Sequence, residues 1–152
     1  EQLSFPSGQD LIVSCSALQW FVSPELFFKR CNALLSGHGY FAFSTFGKEN
    51  LKEIAAVTGS GLHYYSLEEL KKSLSMHYNI VTAGEERIRL TFATPLDVLY
   101  HLKHTGVTAV CRQAWTKGDL QEFCDKYAKL FSCGNAVTLT YHPLYIIARK
   151  KP

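Results

Sequence analysis

The feature that most constrains this chain is a strand, a helix and a second strand in immediate succession. Asp10-Leu11-Ile12-Val13-Ser14-Cys15 is a short apolar run ending in small polar residues, the pattern of a buried strand in a parallel sheet. Ser23 is placed to cap a helix and Pro24 suits its first position. Leu26, Phe27, Arg30, Cys31, Leu34 and Leu35 then follow at helical spacing until Gly37 and Gly39 stop it. Tyr40-Phe41-Ala42-Phe43-Ser44-Thr45-Phe46 reads as a second buried strand. A helix between two strands forms a βαβ unit, whose crossover is expected to be right-handed.

Beyond Gly47 the spacing is helical again over residues 50–57, and Gly59-Ser60-Gly61 breaks it. Ser66-Leu67-Glu68-Glu69 has the form of a capping box, with Leu67, Leu70 and Leu74 as the apolar stripe behind it. Residues 78–83 and 87–92 alternate as strands do around Gly84-Glu85-Glu86, either as a hairpin or as one long bulged strand. Thr94-Pro95-Leu96-Asp97 opens another helix that Gly106 closes. Thr116-Lys117-Gly118-Asp119 opens a further one, carrying Leu120, Phe123, Cys124, Tyr127, Leu130 and Phe131 on one side. Residues 136–140 and 145–148 read as one strand interrupted near Pro143 or as two short ones. Because proline cannot donate to a ladder, the interruption is expected at an edge or a bulge. The class is α/β, with parallel pairing first and antiparallel pairing later.

Composition narrows the function. With 152 residues, 47% of them hydrophobic, the chain can bury one core, so residues 1–152 are expected to be a single domain or part of one. No apolar run is long enough to span a bilayer and no signal-peptide pattern is present, which points to a cytoplasmic protein without membrane contact. The net charge of +3 is too small to argue for nucleic acid. Five cysteines, Cys15, Cys31, Cys111, Cys124 and Cys133, show no Cys-x-x-Cys pair, so reduced thiols are expected, with Cys31 and Cys124 serving as small hydrophobes on helices.

Several chemical motifs are weak or missing. Gly37-His38-Gly39 follows a helix and precedes a strand, so it reads as a turn with a capping glycine and not as a phosphate loop. Ser60 lacks the strand-turn-helix setting of a nucleophile elbow. Asp97, His101 and His104 share one side of a helix at a spacing that could hold zinc, but no second ligand cluster completes the site, so a solvated face is expected and no metal. Lys29 with Arg30, Lys71 with Lys72, and Lys103 with Arg112 read as solvated basic faces. Ser14-Cys15-Ser16-Ala17-Leu18-Gln19-Trp20 is more informative: it lies at the carboxyl end of a parallel strand, where open α/β sheets bind ligands. Trp20 reads equally as a pocket wall or as core.

These residues carry a resemblance. Asp10-Leu11-Ile12-Val13-Ser14-Cys15-Ser16-Ala17-Leu18-Gln19-Trp20 resembles the fourth strand and following loop of class I S-adenosylmethionine-dependent methyltransferases, in particular the biotin-pathway malonyl-acyl-carrier-protein O-methyltransferases with their D-L-x-x-S-N-x-A-x-Q-W pattern. Phe43-Ser44-Thr45-Phe46 with Leu51 and Ile54 is similar to the fifth strand and next helix. Tyr65-Ser66-Leu67-Glu68-Glu69-Leu70 resembles a short lid helix. Leu90-Thr91-Phe92 with Leu96, Leu99 and His101-Leu102-Lys103-His104-Thr105-Gly106-Val107 resembles the L-K-x-x-G lid segment. Trp115-Thr116-Lys117-Gly118-Asp119-Leu120 follows in order, and Leu139-Thr140-Tyr141-His142 with Ala148-Arg149-Lys150 resembles the closing strands.

The resemblance implies the C-terminal part of a Rossmann-like methyltransferase sheet, with a helical lid over residues 94–131. It departs in two places: Cys15 stands where the family has asparagine, and the family's glycine-rich loop and ribose-binding acid have no counterpart here. It therefore implies S-adenosylmethionine as cosubstrate of a complete enzyme and little activity in this chain alone. Cys15, Ser16, Ala17 and Leu18 are the implied cofactor contacts; Trp20, Tyr64, Tyr65 and Tyr141 are the candidate substrate contacts. Arg112 is the candidate to hold a substrate carboxylate, because a planar guanidinium can grip two oxygens. Acyl carrier protein is the implied partner, and a non-catalytic module that binds it or another chain is the alternative. The strand over residues 11–15 would present an open apolar edge, from which self-association is expected, or coverage by residues 1–8.

Overall fold

The computed structural model describes residues 5–107 and 115–152, and these residues form two compact units. No helix among them is long and apolar enough to cross a membrane. The first unit comprises residues up to Lys48, His63–Glu86 and Pro143–Pro152; the second comprises Glu49–Leu62 and Arg87–His142.

The first unit is a four-stranded mixed sheet. Strand β1 (Gln9–Cys15) pairs in parallel with β2 (Leu35–Phe46), which is antiparallel to β7 (Pro143–Lys150), which is in turn antiparallel to β3 (Tyr78–Glu85). Helix α1 (Pro24–Leu34) makes the crossover from β1 to β2. It starts where expected: the Ser23 hydroxyl accepts from the Leu26 N–H, and Pro24 takes the first turn. Helix α3 (Leu67–Leu74) begins with the complete capping box of Ser66 and Glu69. The core lies on one face of the sheet, where Phe41, Phe43, Leu144, Ile146 and Ala148 meet Phe28 of α1 and Leu70 and Leu74 of α3. The Tyr78 hydroxyl donates to the Phe28 carbonyl at 2.9 Å, and burial pushes that phenol well above its ordinary range.

Two expectations for this unit are corrected. The helix does not run on to Gly37: Leu35, Gly37 and Gly39 belong to β2, and a Cβ on Gly39 would stand 2.8 Å from the Gln9 carbonyl oxygen. Glycine permits a close strand approach there, at a register shift between Gln9 and Leu11, and does not make a turn. Nor is β1 buried. Among the described residues it is an edge strand, with Leu11 56% and Val13 59% exposed.

The second unit has a three-stranded antiparallel sheet in the order β4 (Ile88–Phe92), β6 (Ala136–Tyr141), β5 (Ser132–Cys133). With it are α2 (Lys52–Thr58), α4 (Pro95–His104) and α5 (Lys117–Phe131). Thr94 with Asp97 and Thr116 with Asp119 form complete capping boxes, as their sequences imply. Val98, Leu102, Phe123, Tyr127 and Leu139 fill the core; Leu130, counted on the apolar side of α5, is 56% exposed.

A polar seam crosses this unit. Glu53 of α2, 2% exposed, accepts from both the backbone N–H (3.0 Å) and the hydroxyl (2.5 Å) of Thr140. Asn50 accepts from the His142 N–H, the Glu49 N–H donates to His142 Nδ1, and the Leu51 N–H donates to the Thr140 carbonyl. Leu51 adopts φ +54° at the start of α2, and these bonds hold it there.

The pairing settles both ambiguous stretches. β3 and β4 do not form a hairpin: β3 pairs with β7, β4 pairs with β6, and β3 carries an irregularity between Ile80 and Thr82. Pro143 is the first residue of β7, a strand with neighbours on both sides, so it sits at a strand start and not at an edge.

Candidate functional site

The candidate site lies in the first unit, at the carboxyl ends of β1 and β2. Leaving β1, Ser16 takes φ +50°, and its N–H donates to the Ser44 carbonyl at 3.0 Å, which ties the loop to β2. A single 3-10 turn, Leu18–Trp20, follows. Gln19 fixes it from two sides. Its Nε2 donates to the Ser16 carbonyl at 2.6 Å, and its Oε1 accepts from the Thr45 hydroxyl at 3.2 Å. Both groups of the amide are thereby used, and the left-handed residue is locked between two ordered strands.

Against this loop lies a small concavity. Leu18, Gln19, Thr45 and Phe46 form one side; His63, Tyr64, Tyr65 and Leu70 form the other. The His63 ring meets Tyr65 edge-on, with centroids 4.9 Å apart. At the rim Lys48 donates to Glu69 at 2.7 Å, joining the end of β2 to the first turn of α3. That bond, with those from Ser66, holds the Glu69 carboxyl down to about 2.

The structure thus brings together three residues singled out from the sequence, Leu18, Tyr64 and Tyr65, while Cys15, Ser16 and Ala17 do not line the concavity. Trp20 is 57% exposed and does not line the concavity. Tyr141 belongs to the second unit, where its hydroxyl meets His101 Nε2 at 3.0 Å and burial raises its phenol. Arg112 and Cys111 lie outside the described residues. Gln19 and Thr45 stand inside the segments that carry the resemblance but not among the candidate site residues, and nothing in the sequence singled out His63. Gln19 was legible in principle, as a lone amide among small and apolar residues after a strand.

Asp97, His101 and His104 are each engaged within the chain. Asp97 caps α4, His101 meets Tyr141, and His104 Nδ1 meets the Tyr100 carbonyl. Among the described residues no cluster of three His, Cys, Asp or Glu is placed to hold a metal ion. Cys31 is buried, which pushes its thiol up to about 11, whereas Cys15 and Cys133 are exposed.

No family model matches the chain. Curated proteins do. A malonyl-[acyl-carrier protein] O-methyltransferase of Bacteroides thetaiotaomicron is 56% identical over 161 residues, and the match covers 99% of this chain and 62% of that protein. One of Bacteroides fragilis is 57% identical over 152 residues, covering 99% of this chain and 31% of the relative. One of Haemophilus influenzae is 41% identical over 150 residues, covering 98% and 58%. The chain therefore spans less than two thirds of these relatives. Among solved structures, a putative methyltransferase from Bacillus halodurans aligns over 99% of this chain and 68% of its own, with a TM-score of 0.65 and 14% identity. The YcgJ protein from Bacillus subtilis aligns with a TM-score of 0.58, at 14% identity, over 99% of this chain and 68% of its own.

Proposed function

We propose that this chain, homologous along its length to malonyl-[acyl-carrier protein] O-methyltransferases and folded as methyltransferases are, is the C-terminal portion of an enzyme that methylates the free carboxylate of a malonyl group on acyl carrier protein, as in biotin synthesis. The observation that carries the reading is the 56% identity over 99% of the chain.

S-adenosylmethionine supplies a methyl group made electrophilic by a sulfonium. The receiving carboxylate is ionised at neutral pH, so the protein need not supply a base; its work is to align the reactants and exclude water. In this reading the concavity lies beside part of such a cosubstrate; as its side chains stand it has no room for the cosubstrate itself. One side of it is lined by Leu18, which follows Cys15, Ser16 and Ala17 on the loop proposed to meet the cosubstrate, and the other by Tyr64 and Tyr65, proposed to meet the substrate. It contains no carboxylate to take a ribose diol. The chain alone is therefore expected to bind S-adenosylmethionine poorly, and the remaining contacts belong to the rest of the polypeptide. In this reading Arg112 grips the substrate carboxylate, and within the first unit Trp20, Tyr64 and Tyr65 are the substrate contacts.

Two measurements test the reading. In the complete polypeptide, malonyl-acyl carrier protein should gain one methyl group by mass spectrometry, and Arg112→Ala should raise KM for that substrate far more than it raises KM for S-adenosylmethionine. In calorimetry the chain alone should show no binding of S-adenosylmethionine at low micromolar concentration; such binding would sink the expectation that its cofactor site is incomplete. Carrier-protein binding by the complete polypeptide without methyl transfer would make this a binding module instead.

A further inference from the structure

Helices α1 and α3 both begin beside the concavity: Leu18 and Gln19 lead into α1, and Tyr64 and Tyr65 lead into α3. They pack on the same face of the sheet. Glu25 accepts from the Ser73 hydroxyl at 3.4 Å, and Asn32 Nδ2 donates to the His77 carbonyl at 3.2 Å, so one flank of α1 follows α3 to its end. Lys29 lies on that flank, a turn from Glu25 and from Asn32. The fold thereby brings close two basic pairs that are distant in sequence, Lys29 with Arg30 and Lys71 with Lys72. Lysines from the end of β7 and just beyond it join them: Lys150 Nζ donates to the Leu35 carbonyl at 2.8 Å, and Lys151 Nζ to the Ser75 carbonyl at 2.6 Å. Those two have a structural account, since each satisfies the carbonyl end of a helix. Lys29 and Lys72 do not: both are exposed, and among the described residues neither has an ion-pair partner. The neighbouring acids are engaged, Glu68 with Lys71, Glu69 with Lys48, and Glu25 with the hydroxyls of Ser23 and Ser73. Met76 stands 77% exposed in the turn after α3, between the Ser75 carbonyl that Lys151 holds and the His77 carbonyl that Asn32 holds.

We propose that this surface, with Met76 inside a rim of Lys29, Arg30, Lys72 and Lys151, docks an acidic face of the acyl carrier protein that bears the substrate. The inference rests on the function proposed above, in which a carrier protein delivers the malonyl group. An exposed apolar side chain inside a charged rim is the anatomy of a protein contact. A nucleic-acid backbone asks instead for an unbroken run of cations, and here Glu25 and Glu68 interrupt it. The sign of the rim calls for an acidic partner. Distance agrees as well. Lys29 stands six residues beyond Ser23 and Lys72 six beyond Ser66, so each lies about 9 Å along its helix from the end next to the concavity. A group carried on a flexible arm by a protein seated there can reach the concavity without crossing the sheet. A surface of two short helices also suits a partner that must leave after each turnover.

Carrier binding and turnover by the complete polypeptide test this, with fluorescence anisotropy of labelled holo-acyl carrier protein giving the Kd. Lys29→Glu combined with Lys72→Glu should raise that Kd about tenfold or more at low salt, and Lys29→Gln with Lys72→Gln should fall between it and the parent. Arg89→Glu, exposed on β4 of the second unit, should leave the Kd within about twofold. At about 1 M salt, where the Debye length is about 3 Å, parent and variants should converge. In methyl transfer the double reversal should raise KM for malonyl-acyl carrier protein. It should leave KM unchanged for S-adenosylmethionine and for malonyl-pantetheine, an acceptor without the carrier. A change below about twofold in both Kd and carrier KM overturns the docking surface, and continued methyl transfer then leaves the proposed function standing. Equal damage by Arg89→Glu, or an equal rise of KM for malonyl-pantetheine, overturns it too. Displacement of the carrier by a short RNA at lower concentration than by unlabelled carrier overturns it in favour of nucleic acid. Loss of carrier binding on reversal, in a polypeptide that transfers no methyl group, would keep the docking surface and remove the proposed function.

Discussion

Glu53 is the side chain whose removal should be felt most locally. Its two oxygens accept from the Thr140 N–H at 3.0 Å and the Thr140 hydroxyl at 2.5 Å, and it is 2% exposed. Glu53→Ala leaves a buried N–H and a buried hydroxyl without their acceptors. Unsatisfied buried groups cost about 1–3 kcal/mol each, and relief of the desolvated carboxylate offsets part of this, so a net loss of about 3 kcal/mol is expected. Glu53→Gln should be milder. The amide oxygen can accept from the Thr140 N–H and the amide nitrogen can donate to its hydroxyl oxygen, which keeps the seam at a cost of about 1 kcal/mol. Because the chain has two units, one global unfolding energy is a poor readout, and exchange of the Thr140 and Leu51 amides reports the site directly. At about 1.4 kcal/mol per factor of ten, Glu53→Ala should speed these amides about a hundredfold and Glu53→Gln by less than about tenfold. An alanine variant within about threefold of the parent, or a glutamine variant as damaged as the alanine one, would refute the reasoning.

Three further outcomes are expected. Tyr78→Phe removes the buried bond to the Phe28 carbonyl and should lower stability by about 1–2 kcal/mol, seen as a lower thermal midpoint of the first unit. At pH 8 an aromatic disulfide reagent should modify exposed Cys15 and Cys133 well before Cys31, whose thiol is pushed up to about 11; equal rates at Cys31 would contradict its burial. The Arg87 hydrogen bond, then that of Lys52, holds the exposed Glu49 carboxyl down to about 2, below its ordinary 4.5. Since the folded value is the lower one, any stabilisation is present above pH 4.5 and is lost as pH falls towards 2. Carboxyl NMR should show that midpoint, and Arg87→Met should raise it.

What could be read from the sequence was what local chemistry decides. Ser23, Ser66, Thr94 and Thr116 each cap the helix they were expected to cap, because a hydroxyl three residues ahead of an amide needs no distant partner. What could not be read depends on residues far along the chain. Gly39 looks like a helix stop until Gln9 is seen against it. An apolar run such as Leu11-Ile12-Val13 signals burial, yet burial needs a cover, and the described residues cover only one face. Strands 78–85 and 88–92 look like hairpin partners because they are neighbours in sequence, whereas their partners lie over fifty residues away for most pairs. At the site, the loop after β1 was legible as a ligand-binding position, but the Gln19–Thr45 bond that stiffens it joins residues 26 positions apart.

The placement of β7 between β2 and β3 also governs the order of assembly during synthesis. A ribosome delivers residues 35–46 and 78–85 first; β2 can pair with β1 at once, but β3 has no partner, and β2 lacks its second one, until residues 143–150 have left the exit tunnel. Through that interval Phe41, Phe43 and Tyr78 have no Leu144, Ile146 or Ala148 to pack against. The nascent chain is then a candidate for chaperone capture, and a stop codon a few residues before β7 would remove the strand that joins the two sides of the sheet.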